Sequence, residues 1–321
     1  MGKVVVTGAG GYVGGSLIRR LLDDPDTEVV GVDSCAMAHG AEGVREILEH
    51  PRFSLVREDV RNTDALVPLI TGADAVVHLA AIVGDPAGRR DPDTTRAVNI
   101  DASSGLIEAS RDNNVGHFIF VSTCSNYGVS DTNTLVTEDG ELNPVSLYAE
   151  TKVAVEKRLL EEKELPATVC RFATVYGVAP RMRFDLTVNQ FAIEAFRDGV
   201  LEIYGEQFWR PYVHVDDAAA GIQLVLSKPD VSVGRVYNVG DSGENYTKRM
   251  IFDLLKERLP ELEGKWVNVD EDPRSYKVSF ERIKDELGYE TRWDVPSGLD
   301  QVLDQARVGA FPDPEAGRFR N

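Results

Sequence analysis

The sequence predicts an α/β chain: a doubly wound parallel sheet with helices on both faces, followed by a smaller mixed lobe. Three observations carry this. In the first half, short apolar runs alternate with helical patterns, the order that builds βαβ units. A glycine cluster, Gly8 to Gly14, directly follows the first apolar run and opens the first helical pattern. From about residue 177 the elements become shorter and mixed, which marks a second unit. At 321 residues the chain has room for one large domain or two small ones, and 42% hydrophobic residues suffice to bury a core.

Taken in order, residues 3–7 read as the first strand and 13–22 as its helix. Residues 28–33 are the second strand, 54–57 the third and 75–79 the fourth. A helix over about 94–113 follows. Then come a fifth strand at 117–122, a charged amphipathic helix at 148–163 and a sixth strand at 167–172. Beyond 177 the pattern gives a loop at 180–184, a helix near 187–197, a strand at 201–204 and a helix after Asp216. A strand at 235–239, a helix near 247–258 and terminal helices near 280–287 and 296–309 complete it. Residues 1–177 are read as one domain, with 213–240 partly returning to it, and 178–321 as the smaller lobe. A ligand is expected in the cleft between the two.

Gly8-x-x-Gly11-x-x-Gly14 lies between strand and helix. Glycines there let the backbone turn tightly and approach a pyrophosphate, whose charge then sits at a helix N-terminus. This predicts a Rossmann-type dinucleotide site made by Gly8, Gly11, Tyr12, Val13 and Gly14. Asp33 ends the second strand about 20 positions on, where a carboxylate accepts hydrogen bonds from ribose hydroxyls and repels a 2′-phosphate. No arginine follows in Ser34-Cys35-Ala36-Met37, so the expected cofactor is NAD rather than NADP. Asp59 and Val60 end the third strand, near the expected adenine, although Asp59 reads equally as an ordinary strand-end carboxylate. Leu79, Ala80 and Ala81 end the fourth strand and are small enough to lie along the cofactor. His78 before them reads as structural.

Tyr148 and Lys152 stand one helical turn apart, so they share a face. A nearby ammonium favours the phenolate and lowers a tyrosine's pKa from about 10, which makes Tyr148 a usable general base. Alone, a Tyr-x-x-x-Lys match is weak evidence. Downstream of a dinucleotide turn it describes hydride transfer at a carbinol carbon. The fifth strand ends in Ser122-Thr123, where a hydroxyl points into the crevice above a parallel sheet. Thr123 or Ser122 is placed to hold the reacting oxygen, or to cap the turn that follows.

The net charge is −18, and the 35 basic residues stand against 53 acidic ones. Such self-repulsion argues against nucleic acid or an anionic membrane as partner. It suits a surface adapted to high salt, or else an ordinary acidic cytosolic protein. Three cysteines, Cys35, Cys124 and Cys170, show no metal-like spacing and are too few for a disulfide framework. No apolar run approaches the ~20 residues of a membrane span. The glycine turn at Gly8 leaves no place for a secretory leader, so a cytoplasmic location is expected.

With these residues in view, the chain resembles the extended short-chain dehydrogenase/reductases, in their nucleotide-sugar epimerase/dehydratase group (UDP-glucose 4-epimerase-like). The resemblance runs nearly end to end. It rests on Thr7 to Gly14, His78-Leu79-Ala80-Ala81, Asn99, Ser122-Thr123, Tyr148-x-x-x-Lys152, Arg171 to Gly177, and Arg210 to Asp217. It implies that Tyr148 is the base, that Lys152 steadies it and binds the nicotinamide ribose, and that Thr123 hydrogen-bonds the sugar 4-oxygen. Asn99 joins the supporting network. Arg210 matches the arginine that grips the nucleotide diphosphate, Asn189 stands where another diphosphate contact is expected, and Arg183 and Arg274 are weaker candidates that read equally as surface salt-bridging residues. Thr174 occupies a substrate-contact position where the family often has asparagine.

One departure sorts the reactions. The family's 4,6-dehydratases carry Asp-Glu after the threonine, and here those positions are Cys124-Ser125. The resemblance therefore implies an NAD-dependent nucleotide-sugar epimerase passing through a 4-keto sugar. A dehydratase or 4-keto reductase is the alternative, and a non-catalytic NAD-sensing module a second one. A homodimer through the long helices is likewise a family expectation.

Overall fold

The computed structural model describes residues 2–37, 40–267 and 274–320. Twelve strands are described: β1 Lys3–Thr7, β2 Glu28–Asp33, β3 Phe53–Arg57, β4 Ala75–His78, β5 His117–Thr123, β6 Ala167–Phe172, β7 Thr174–Tyr176, β8 Val200–Tyr204, β9 Trp209–His214, β10 Val236–Val239, β11 Asn245–Thr247 and β12 Glu263–Val267. Seven of them build one parallel sheet in the order β10-β6-β5-β4-β1-β2-β3. Every residue of β5 is buried, because helices cover both faces of the sheet. Leu17, Ile18, Ile222 and Val225 pack on one face, from the helices Tyr12–Leu22 and Val215–Ser227. Leu106, Ile107, Val155 and Leu159 pack on the other, from Ser103–Asp112 and Leu147–Glu161. Burying each such side chain contributes about 1.5–3 kcal/mol.

This order places the site. β1 leads outward to β2 and β3, whereas β4 leads the other way to β5 and β6. The crevice therefore opens at the carboxyl ends of β1 and β4, where the chain reverses direction through the sheet. Val236–Val239 returns from far along the chain to add the edge strand β10 beside β6. A separate apolar cluster, including Phe184, Phe191, Leu201, Ile203, Leu255 and Leu303, is built by later elements. Two small sheets accompany it, β11-β9-β7 and the parallel pair β12-β8.

Three differences from the sequence reading have physical causes. The helix expected over 94–113 is three pieces: Pro92–Arg96, a π-helical turn Ala97–Ala102, and Ser103–Asp112. Periodicity does not register one wider turn. The helix Thr63–Ile70 was missed because Pro68 reads as a breaker. β9 was missed because Pro211 argues against a strand. Among the described residues, no helix is long and apolar enough to cross a membrane.

Candidate active site

The glycine turn forms as its spacing requires. Gly8 takes a left-handed φ of 74°, its N–H donates to the Val32 carbonyl at 2.8 Å, and Gly11 caps the helix that begins at Tyr12. A Cβ at Gly14 would run into the Gly8 carbonyl oxygen, so only glycine lets this helix lie so close to the turn. Asp33 accepts from the Gly10 amide at 3.0 Å and from the Cys35 amide at 2.8 Å. Each of its oxygens keeps acceptor capacity beyond one bond. A backbone cradle that a Cβ would fill, a helix N-terminus with no side-chain cap among the described residues and a carboxylate at the end of β2 fit a dinucleotide. Val13 and Leu79-Ala80-Ala81 are half-buried along the same crevice, and Val60 is buried. The Asp59 carboxylate pairs with Arg61 at 2.7 Å, which holds it below the usual range.

The Tyr12 side chain has a part that the glycine spacing did not predict. Its hydroxyl donates to the Gly177 carbonyl at 2.5 Å and accepts from the Asn189 amide at 3.1 Å. Asn189 is fully buried. Its carbonyl oxygen accepts from Gly177 N–H at 2.8 Å, and its amide also donates to the Arg183 carbonyl at 3.0 Å. The side chain of Asn189, a residue expected near a diphosphate, here clasps the glycine-turn helix to the segment after β7.

Tyr148 and Lys152 lie in the first two turns of the helix Leu147–Glu161, whose start Ser146 caps by accepting from the Ala149 amide. Tyr148 is half-buried, whereas Lys152 is 3% exposed. The Lys152 ammonium donates to the Val121 carbonyl at 2.9 Å and sits 4.6 Å from the centroid of the Phe120 ring. Burial pulls its pKa down to about 8, and the Glu156 carboxylate opposes that pull. Thr123 stands at the end of β5 beside them. Its oxygen accepts from the Ser125 amide at 3.1 Å, and its own hydrogen is left to donate. Ser122, the other candidate, turns inward and donates to Glu156.

Asn99 falls within the π-helical turn, an element common at functional sites. Its carbonyl oxygen accepts from Ile82 N–H at 2.8 Å. Its amide donates to the Ile82 carbonyl at 3.0 Å and to the Thr151 hydroxyl at 3.1 Å. Thr151 precedes Lys152, so this one side chain ties the segment after β4 to the tyrosine–lysine helix. His78 is fully buried between the Thr7 hydroxyl at 2.7 Å and the Ser103 hydroxyl at 2.9 Å, and burial lowers its pKa to about 3. It stays neutral in the core.

A sequence profile of the NAD dependent epimerase/dehydratase family matches residues 4–240. The chain belongs to this family. It is 33% identical over 247 residues to an uncharacterised UDP-glucose epimerase, YtcB, of Bacillus subtilis, covering 74% of this chain and 76% of that one. The dTDP-glucose 4,6-dehydratase DesIV of Streptomyces venezuelae, solved with NAD and TYD bound, superposes with a TM-score of 0.85 at 27% identity. The match covers 95% of this chain and 97% of that one. A UDP-glucuronic acid 4-epimerase of Bacillus cereus, in complex with UDP-glucuronic acid and NAD, gives 0.83 at 27%, covering 95% and 99%. The seven-stranded parallel sheet is the sheet of these enzymes.

Within this epimerase/dehydratase, the expected substrate residues separate into two places. Arg210 donates to the Arg274 carbonyl, and its guanidinium lies 5.4 Å from the Tyr276 ring centroid. The Tyr276 hydroxyl reaches toward Ser125 at 3.4 Å, so Arg210, Arg274 and Ser125 share a wall next to Thr123. Thr174 is half-buried at the start of β7. Arg183 stands apart, forked onto Asp185 at 3.0 and 2.6 Å beside the Tyr12–Asn189 clasp. Sequence reasoning missed Tyr276 and Glu156. A glutamate one turn beyond Lys152 was the available signal for the second.

Cys124 is the position at which a 4,6-dehydratase carries an acid. Here its thiol faces inward, 3.4 Å from the Arg171 carbonyl oxygen and 3.9 Å from the Asn238 side-chain oxygen. Burial pushes its pKa well above the ordinary thiol value.

Proposed function

We propose that this enzyme inverts a carbinol centre of a nucleotide sugar through a transient 4-keto sugar. The observation that carries this reading is the inward Cys124. Elimination of water needs an acid for the leaving hydroxyl, and a buried thiol with a raised pKa, followed by a serine, does not supply one. Epimerisation needs only one group to take and return the hydroxyl proton, and Tyr148 serves.

NAD, when bound, supplies the hydride acceptor and donor at the sugar carbon. The glycine turn and the N-terminus of the helix Tyr12–Leu22 hold its pyrophosphate, and Asp33 its adenosine ribose. Lys152, fixed by the Val121 carbonyl, holds the nicotinamide ribose and favours the Tyr148 phenolate. Tyr148 removes the 4-hydroxyl proton and later returns it. Thr123 donates to the 4-oxygen, and Arg210 and Arg274 hold the diphosphate. The excess of acidic residues supports adaptation to high salt. A homodimer through the long helices in the cytoplasm completes the reading.

Tyr148→Phe removes only the proton-transferring oxygen. The expected outcome is a ~10²–10⁴-fold loss of turnover with NAD binding retained. The assay is a nucleotide-sugar panel followed by NMR in deuterated water. Inverted product without deuterium on carbon supports the proposal. Deuterium at C5 with loss of the 6-hydroxyl would make the enzyme a dehydratase, and wild-type turnover by Tyr148→Phe would remove the tyrosine from the mechanism.

A further inference from the structure

Glu156 follows Lys152 by one helical turn, as Lys152 follows Tyr148, so the three side chains form one stripe down the helix. At 1% exposure it is the most deeply buried of them. Its carboxylate is held from three sides. The Ser122 hydroxyl donates to it, the Asn126 amide donates at 2.7 Å, and the Arg171 guanidinium forks onto it at 3.0 and 2.7 Å. Ser122 and Arg171 are register partners on β5 and β6. Successive residues of β5 therefore grip successive turns of the helix: the Val121 carbonyl takes Lys152, and the Ser122 hydroxyl takes Glu156.

We propose that Glu156 is a positioning residue for Lys152: locked to β5 and β6, its carboxylate fixes the rotation of the helix and holds the buried ammonium charged beneath Tyr148. This role rests on the tyrosine–lysine chemistry proposed above, but the placement of Lys152 does not. Among the described residues, few groups face the ammonium. Tyr148 and Glu156 lie on its own helix. His78 approaches from β4 and is neutral, and the Val121 carbonyl and Phe120 ring come from β5. Arg171 on β6 is a second cation, and Glu156 balances it.

The sign of the effect follows. Burial alone favours the uncharged amine, and the Glu156 carboxylate works against burial. Replacing Glu156 by an amide removes that attraction and leaves Arg171 as an uncompensated cation in the same buried volume. Lys152 then loses its proton at a lower pH.

The test is an NMR pH titration of the whole protein carrying ¹³C at the lysine ε-carbons, with the Lys152 signal identified by its loss in Lys152→Arg. In Glu156→Gln, Lys152 should titrate about one pH unit lower, a tenfold change in proton affinity. The alkaline limb of kcat/KM should move with it. Glu156→Asp keeps the charge at a shorter reach and should fall between the two. If Glu156→Gln does not fold, the smaller downward shift in Glu156→Asp decides. An unchanged Lys152 titration in a folded variant overturns the assignment, even where activity falls. If Tyr148→Phe keeps full turnover while Lys152 shifts in Glu156→Gln, the proposed reaction fails and the positioning role stands.

Discussion

Asp33 shows how one side chain serves both the loop it ends and the ligand it awaits. Its oxygens already hold the Gly10 and Cys35 amides, so the carboxylate is oriented before any ribose arrives. Asp33→Ala removes the acceptor, the anchor and the repulsion of a 2′-phosphate together. NAD affinity should fall about 10- to 100-fold, the scale of hydrogen bonds to a charged group. NADP affinity should change much less. Fluorescence titration of both cofactors checks this, and a wild-type preference for NADP would contradict it. The placements of Asp33 and Lys152 were legible in the sequence because they depend on local spacing. Glu156 was not, because its meaning comes from Arg171 and Ser122 on two different strands. The clasp made by the Tyr12 hydroxyl was not legible for the same reason: its partners, Gly177 and Asn189, lie more than 160 residues away.

At the scale of elements, the first six strands of the sheet could be read because buried parallel strands are continuous apolar runs between breakers. β10 was also read, and it returns to the edge of the main sheet beside β6. The short strands β7, β11 and β12 were illegible, since three to five residues with mixed burial carry no period. Neither was the π-helical turn, whose extra residue aims Asn99 at the segment after β4. The clasp at Tyr12 predicts how the elements depend on each other. Tyr12→Phe keeps the ring in the core but leaves the Gly177 carbonyl and the Asn189 amide without the hydroxyl between them. The expected loss is about 1–3 kcal/mol, the cost of leaving buried polar groups unmatched. Urea unfolding of the two proteins measures it. A change below ~0.5 kcal/mol would mean that the clasp is incidental.

For the whole molecule, the net charge of −18 sets the response to the medium. Repulsion among surface carboxylates favours the expanded chain, and screening reduces it once the Debye length falls to ~3 Å at 1 M salt. The melting temperature should therefore climb as KCl is added. A flat or falling curve would count against salt adaptation. The long return that completes the sheet has a consequence for synthesis. β6 ends at Phe172, but its outer neighbour β10 begins only at Val236. At ~5–20 residues per second, a ribosome takes roughly 3–13 s to supply that neighbour. For those seconds the nascent chain displays an unpaired apolar edge, Ala167–Phe172, directly beside the strand that carries Thr123. Chaperones, or translation rates, that guard this interval should govern how much of the enzyme reaches its native state.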